Sequence, residues 1–353
     1  MFGIRRPLRR ALSLGLPTAW GAVAIAYKLA CPLAQQDGWG ARIVTSFVFF
    51  AVGTGLILHV RQRLLRELRQ ARRIATAAQN VLLRPLPPHV DGLGVAAAQL
   101  SADRGATVGG DLYEVIATEH GVRVVMGDVR GHGLPALGTV AALLGSFREA
   151  AHDEPDLDRL LRRLDRALAR HLRERHREEH PTSGRTPDAP VAEEFVTLLL
   201  LEIGRDGEIT ALNCGHPWPY LLSRGRAVRS LARADPLPPL GPFPLPTGPL
   251  PATRCGPLLP AEALVLYTDG AEDARDARGR FFSLTAALEK ALHDHPVSPQ
   301  QILRTVQSSL LRHTGGHPTD DVALLVLENA RPRRLTPSAP PGRRCTRGSR
   351  RPG

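Results

Sequence analysis

Four aspartates stand at the ends of apolar, strand-like runs, and three of them directly adjoin glycine. They are Asp111 in VGGDLYEV, Asp128 in VVMGDVRGHG, Asp269 in LVLYTDGAED, and Asp320, followed by Asp321, in HPTDDVALLVL. Glycine permits a sharp turn of the backbone, so these runs predict carboxylates that project from the edge of a sheet.

The chemistry open to such a set is metal binding. Several carboxylates in one cleft repel one another unless a cation neutralises them. Ligation by oxygen alone selects a hard ion, Mg²⁺ or Mn²⁺, over zinc. One Asp-Gly pair is typical of a turn, whereas four such positions predict a metal centre. The four cysteines, Cys31, Cys214, Cys255 and Cys345, have no CxxC spacing, which argues against a zinc knuckle or a disulfide framework.

The elements that must position these carboxylates are short strands, with helices inserted in blocks. Strands are predicted at 95–100, 112–118, 122–127, 195–203, 208–213, 220–223, 263–267 and 322–327, and helices at 134–152, 157–177, 284–293 and 299–313. This order predicts an α+β fold with antiparallel sheets rather than alternating βαβ units. The proline-rich stretch 235–260 is predicted to be loop, because proline removes ladder donors.

Two apolar segments precede this domain, at 11–30 and 41–60, and each is long enough to cross a membrane. The short connection between them holds only Asp37 as a charge, whereas arginines flank both outer ends. The positive-inside rule therefore predicts a two-helix transmembrane hairpin over 1–60, with the rest of the chain cytoplasmic. The first segment could instead be a signal peptide, but the second would still stop transfer and leave the later domain inside.

The net charge is +12, and the excess of basic over acidic residues lies mainly outside the predicted domain. Residues 61–83 predict a juxtamembrane helix, either a homodimer contact or a plain connector, and 329–353 predict a basic disordered tail. Aromatic residues are scarce near these clusters, so we expect contact with membrane lipid rather than with nucleic acid.

The order of motifs resembles one family. GGDxY, GDVxGHG, FVT, NxGHP, LVLYTDGxxE and DDVALLVL together are similar to the SpoIIE-type branch of the metal-dependent (PPM) protein serine/threonine phosphatases, over about residues 78–328. The resemblance implies a β-sandwich of two antiparallel sheets flanked by helices, which we assign to 84–328. It also implies a centre of two ions, Mn²⁺ or Mg²⁺, and hydrolysis of phosphoserine or phosphothreonine by a metal-bound water.

Carried over by motif, Asp128 is the carboxylate that bridges the two ions, and the Val129 carbonyl is a further ligand. Asp269 and Asp320 match the remaining ligands of one ion, and Asp111 matches a position that contacts metal-bound water or joins a ligand shell. His132 either stabilises the GHG turn or protonates the leaving oxygen, and His216 is expected to shape a turn. Leu112 and Glu114 depart from the family pattern, in which Trp and Asp are frequent, but neither position is a metal ligand.

The resemblance implies a phosphorylated regulatory protein as substrate, such as an anti-sigma-factor antagonist of the STAS type. Two alternatives remain at this point. One is a catalytically silent membrane scaffold that binds the phosphoprotein, which the complete acidic set disfavours. The other is a nucleotide cyclase built on GGDLYE, which does not account for the DDVALLVL motif.

Overall fold

The structure is a computed structural model, and it describes residues 20, 39–100, 109–131, 133–179, 194–223, 227–294, 298–318 and 320–331. The chain divides into two compact units, Met1–Ala78 and Gln79–Gly353. Each unit is described by itself below.

The first unit is dominated by helix α1, Trp39–Leu82, whose last residues belong to the second unit. Within α1, Phe47–Glu67 is long and apolar enough to cross a membrane, and it is the one such segment in the described part of the chain. Its apolar side chains are exposed, with Phe50 at 73%. Because α1 runs without a break from 39 to 82, the predicted span 41–60 and the predicted helix 61–83 belong to one continuous helix.

The predicted span 11–30 lies outside the described residues except for Trp20. The Trp20 ring lies 5.5 Å from the Phe49 ring, and its Cδ1 would lie 3.7 Å from a Cβ added to Gly53. The described residues therefore contain one helix that is long and apolar enough to cross a membrane, and the two-helix hairpin is not confirmed.

The second unit contains two antiparallel sheets. The strands are β1 His89–Val90, β2 Leu93–Leu100, β3 Asp111–Thr118, β4 Gly121–Val129, β5 Val196–Ile203, β6 Glu208–Cys214, β7 Tyr220–Leu222, β8 Val228–Ser230, β9 Thr253–Pro257, β10 Ala263–Tyr267 and β11 Val322–Asn329. One sheet has the order β1-β2-β11-β10-β7-β8 and the other β3-β4-β5-β6-β9. The helices are α2 Leu134–Asp153, α3 Leu157–Glu179, α4 Gly270–Asp273, α5 Leu284–Asp294 and α6 Pro299–His313.

Apolar side chains of the two sheets and the helices form three clusters among the described residues. Successive side chains of a strand point to opposite faces of the sheet, so one strand can contribute to two clusters. On β4, Val124 and Met126 pack between the two sheets against residues such as Leu325, whereas Val125 packs on the outer face under α2 and α3. The third cluster lies between the six-stranded sheet and helices α5 and α6. The predicted α+β fold, with two antiparallel sheets flanked by helices, is confirmed.

Two regions differ from the sequence prediction. The proline-rich stretch 235–260 is not all loop, because β9 pairs with β6 as an edge strand. Pro257 ends β9, and an edge strand tolerates a missing N–H donor. In addition, β11 continues to Asn329, and the Arg331 guanidinium donates to the carbonyls of Gly204 (2.8 Å) and Asp91 (2.9 Å). The domain therefore reaches at least Arg331, and residues 332–353 lie outside the described part.

Strand β4 also carries Arg123, whose side chain is fully buried. Its Nε and Nη2 donate to Glu202 Oε2 at 2.9 and 2.7 Å. It also donates to the carbonyls of Ala151 (3.0 Å), Glu154 (2.5 Å) and Pro155 (3.1 Å), at the end of α2 and the turn into α3. A charge buried in this way is stable only while its partners remain, so Arg123 ties the two helices to the sheet.

Candidate active site

The antiparallel pairing of β3 and β4 places two of the four aspartates opposite each other. Asp111 opens β3 and is in register with Asp128 near the end of β4. Residues directly opposite in an antiparallel pair project from the same face of the sheet, so these carboxylates are neighbours. Asp128 is also in register with Thr197 at the start of β5.

The other sheet contributes the remaining acidic residues at the same end of the sandwich. Strand β10 ends at Tyr267, two residues before Asp269, and Asp320 and Asp321 directly precede β11. Since β10 and β11 are antiparallel, with Tyr267 opposite Leu324, the end of one lies beside the start of the other. Asp269 begins α4, and its carbonyl accepts the amide N–H groups of Glu272 and Asp273, both at 2.9 Å.

Glycines allow these segments to approach closely. A Cβ on Gly110 would overlap the Val129 carbonyl oxygen and lie 2.9 Å from Asp128 Oδ1. A Cβ on Gly109 would overlap the Asp321 carboxylate, and one on Gly270 would overlap the Asp321 carbonyl. The backbone of β3 therefore lies against both the end of β4 and the residues before β11, and a larger residue at 110 would separate them.

The carboxylates interact electrostatically. Burial raises the pKa of Asp111 well above its ordinary value, with further increases from Asp128, Asp321 and Asp269. Burial, together with the charges of Asp269, Asp320 and Asp321, raises the pKa of Asp128 to about 7. Burial and the charge of Asp320 also raise the pKa of Asp269. Five aspartates from two sheets thus form one acidic cluster: Asp111, Asp128, Asp269, Asp320 and Asp321.

The chemistry of this cluster fits a divalent cation. Asp111 is 2% exposed, and its Oδ2 has no hydrogen-bond partner among the described residues. A buried carboxylate oxygen without a donor is costly unless a cation satisfies it. In the part of the chain that the structure describes, no three carboxylate, imidazole or thiol groups converge closely enough to hold an ion as they stand. The donor types and their mutual repulsion therefore support a cation, whereas the coordination geometry is not fixed by these side chains alone.

The histidine predicted to shape a turn does so. The His216 N–H donates to Asn213 Oδ1, and Asn213 Nδ2 donates to the His216 carbonyl, both at 2.8 Å. The His216 ring lies 3.1 Å from Thr197 Oγ1, and burial lowers its pKa to about 3. A neutral, buried imidazole of this kind is not a proton donor at neutral pH. The other candidate, His132, lies outside the described residues.

Glu114, one of the two departures from the family pattern, forms an ion pair with Arg148. Arg148 of α2 donates through Nε to Glu114 Oε2 at 2.8 Å and through Nη2 to the Leu82 carbonyl at 2.7 Å. This ion pair lies three residues along β3 from Asp111, and Glu114 is not among the charges that shift the pKa of Asp111, Asp128 or Asp269.

One residue of the site was not given a role from the sequence. Asp321 adds its charge to those acting on Asp111 and Asp128. The doubled aspartate in HPTDDV was the signal for it.

The comparisons with known proteins agree with this architecture. A solved structure of the SiaA-PP2C domain of Pseudomonas aeruginosa matches with a TM-score of 0.53 and 18% identity, covering 76% of this chain and 98% of that one. The RsbU and RsbW domains of a Mycobacterium tuberculosis protein match with a TM-score of 0.50 and 23% identity, covering 67% of this chain and 60% of that one. This chain therefore spans less than two thirds of the mycobacterial structure, and both likenesses concern the fold.

The family model described as Stage II sporulation protein E (SpoIIE) matches residues 118–329. The matched segment contains Asp128, Asp269, Asp320 and Asp321, whereas Asp111 precedes it. Since the match spans more than half of the 353 residues, the chain belongs to the SpoIIE family, and its second unit has the PP2C-type fold.

Proposed function

We propose that this protein is a Mg²⁺- or Mn²⁺-dependent protein serine/threonine phosphatase. The observation that carries the proposal is the acidic cluster, in which five aspartates interact electrostatically and one buried oxygen of Asp111 has no hydrogen-bond partner among the described residues. Membership of the SpoIIE family supports the same reaction class.

In this proposal Asp128, the Val129 carbonyl, Asp269 and Asp320 would hold two Mg²⁺ or Mn²⁺ ions, and Asp111 would either join a ligand shell or contact a bound water. When bound, the ions activate water at neutral pH and stabilise negative charge on the phosphoryl oxygens of the substrate.

The residues of the chain hold the candidate ligands in position and supply their negative charge. The close contact of Gly110 with Val129 fixes the Asp111 and Asp128 strands against each other, and the carbonyl of Asp269 is fixed by the first turn of α4. Burial and the neighbouring aspartates raise the pKa of Asp128, and a bound cation would offset this repulsion. The neutral His216 keeps the NCGHP turn rigid beside Thr197.

The substrate in this proposal is a phosphorylated regulatory protein, with a STAS-type anti-sigma-factor antagonist as the specific candidate. The support is the family and the mycobacterial match, in which an RsbU domain occurs together with an RsbW domain. We further propose that the chain is an integral membrane protein with two spans, that its second unit is cytoplasmic, and that residues 61–83 of α1 can mediate a homodimer. The exposed apolar segment Phe47–Glu67, followed by arginines, supports the membrane assignment.

The test is phosphatase activity of the full chain in detergent micelles. Hydrolysis of p-nitrophenyl phosphate and of a phosphorylated STAS-domain protein is measured with EDTA, Mg²⁺ or Mn²⁺. We expect metal-dependent phosphate release that Asp128→Asn abolishes. Glu149→Gln on α2 is the matched control, because Glu149 is exposed and only loosely paired with Arg163 at 3.9 Å.

Two outcomes separate the alternatives. Binding of the phosphorylated STAS-domain protein without phosphate release in any metal would favour the scaffold function. Equal activity of wild type and Asp128→Asn would contradict the assignment of the cluster as the active site.

A further inference from the structure

Helix α4, Gly270–Asp273, is a single turn that directly follows Asp269. One turn of helix is not stable by itself, because forming it fixes several residues for few hydrogen bonds. Asp269 is exposed, so its own packing does not hold its side chain in place. The contacts that attach α4 to the rest of the domain therefore also set where the Asp269 carboxylate lies.

One such contact comes from strand β7. The Tyr220 hydroxyl donates to Glu272 Oε1 at 3.1 Å, and the Glu272 N–H donates to the Asp269 carbonyl at 2.9 Å. Glu272 is thus bonded through its side chain to a strand of the six-stranded sheet and through its backbone to Asp269. A single residue links Tyr220 to the main chain of a candidate metal ligand.

The donor in this contact is itself held firmly. Tyr220 pairs with Ser230 of β8 on one side and with Val265 of β10 on the other. Its ring stacks on the ring of Tyr267, with the centroids 5.5 Å apart and the planes 13° from parallel. Stacking of this kind is a favourable aromatic arrangement, so the Tyr220 hydroxyl is presented to α4 from a fixed position.

The start of α4 has a separate attachment. A Cβ on Gly270 would overlap the Asp321 carbonyl, so this end of the turn lies against the residues before β11. The Tyr220 contact holds the turn at Glu272, two residues further on. Without that contact α4 is free to pivot about its start, and Asp269 then moves relative to Asp320 and Asp321.

We propose that Tyr220 and Glu272 form a positioning pair, whose hydrogen bond holds α4 so that the Asp269 carboxylate is placed to bind a divalent cation. This inference rests on the proposed function for the identity of the cation, but it concerns binding and is separable from hydrolysis. It requires an oxygen acceptor at position 272 and not a charge there, because a tyrosine hydroxyl donates to a carboxylate or an amide oxygen alike.

The experiment is Mn²⁺ binding by the metal-free full chain in detergent micelles, followed through the electron paramagnetic resonance signal of unbound Mn²⁺. Tyr220→Phe removes the hydroxyl and keeps the stacked ring, and it should weaken binding about 10-fold. This is the lower end of the range for residues that orient a metal ligand, because the pair acts through a turn and not on the ligand itself. Glu272→Ala should give the same loss, and it replaces the phenylalanine variant if that protein does not fold.

Glu272→Gln separates the hydrogen bond from the charge. Glutamine and alanine both remove the negative charge, but only glutamine keeps an oxygen that can accept from Tyr220. The glutamine variant should therefore stay within about threefold of wild type. The double variant Tyr220→Phe with Glu272→Ala should bind no more weakly than either single variant, since both remove the same contact.

The matched control is Ser230→Ala. Ser230 pairs directly with Tyr220, but its hydroxyl donates to the Ala232 carbonyl at 2.7 Å and not to α4. Its loss should leave Mn²⁺ affinity unchanged. Activity gives a second measurement, in which Tyr220→Phe should need more Mn²⁺ for half-maximal rate but approach the wild-type kcat at saturation.

Wild-type affinity in a folded Tyr220→Phe or Glu272→Ala protein overturns the inference. A glutamine variant that binds as weakly as the alanine variant also overturns it, because the loss would then follow the charge. Mn²⁺ binding by wild type without hydrolysis of any phosphoester contradicts the proposed function alone. Absence of Mn²⁺ binding by wild type contradicts both.

Discussion

Gly110 offers a sharp test of how closely the site must be packed. A Cβ at this position would overlap the backbone carbonyl of Val129 and crowd Asp128 Oδ1 at 2.9 Å. Since backbone cannot rotate away as a side chain can, the start of β3 would have to retreat by about 1 Å to restore ordinary van der Waals separation. That movement would also break the hydrogen bond from the Val129 N–H to the Gly110 carbonyl, now 3.1 Å.

Gly110→Ala should therefore lower kcat/KM sharply. A displacement of about 1 Å in a catalytic constellation costs on the order of 10²-fold, which corresponds to roughly 2.7 kcal/mol of transition-state stabilisation. The assay is metal-dependent hydrolysis of p-nitrophenyl phosphate, with circular dichroism to confirm that the variant is folded.

Two other glycines make this a graded series. A Cβ on Gly109 meets the end of the Asp321 side chain, which can rotate, so Gly109→Ala should cost less than about tenfold. Around Gly145, an exposed position on α2, no described atom beyond the local helix backbone lies within 4 Å of the added Cβ, so Gly145→Ala should keep full activity and stabilise the helix by about 0.5–1 kcal/mol. A folded Gly110→Ala protein with activity within threefold of wild type would refute the packing argument.

Further predictions concern stability. Because the pKa of His216 falls from 6.5 to about 3 on folding, the unfolded chain binds more protons between these values, and stability is lost as pH falls. By pH 5 the loss should reach roughly 2 kcal/mol, and His216→Asn should flatten this dependence in urea titrations from pH 7 to 5. Replacing Arg123 by Met should lower the free energy of unfolding by about 3–5 kcal/mol, since Glu202 and three carbonyls lose their donor. Arg254→Met on the exposed edge strand β9 is the charge-matched control, and an equal loss in both variants would show that the buried contacts are not the cause.

Much of the sandwich could be predicted from sequence, because its central strands and packed helices have strong periodic patterns. Helix α6 begins and ends where predicted, and β10 has its predicted bounds. Strand β9 was missed, because flanking prolines hide an edge strand whose pairing depends on β6, about 45 residues earlier in the chain. Helix α1 runs through residue 60 without a break, because a change from apolar to basic residues marks a change of environment and not a helix end.

The aspartates of the site could be predicted for two reasons. A hard metal ion requires oxygen ligands, and the ends of apolar strands mark where such residues stand in the sequence. The structure places Asp111 opposite Asp128 and brings Gly109 and Gly270 against Asp321, whereas the roles of the aspartates as individual ligands stay predictions.

The position of β11 has a consequence for biosynthesis. This strand lies in the interior of its sheet, between β2 and β10, and directly follows two of the five clustered aspartates. The chain is synthesised from its N-terminus, so more than 220 residues are added after β2 before its neighbour β11 is made. Until then the sheet is interrupted and the acidic cluster lacks Asp320 and Asp321. We therefore expect an unfinished polypeptide to lack the complete acidic cluster, which can form only when translation of the domain is complete.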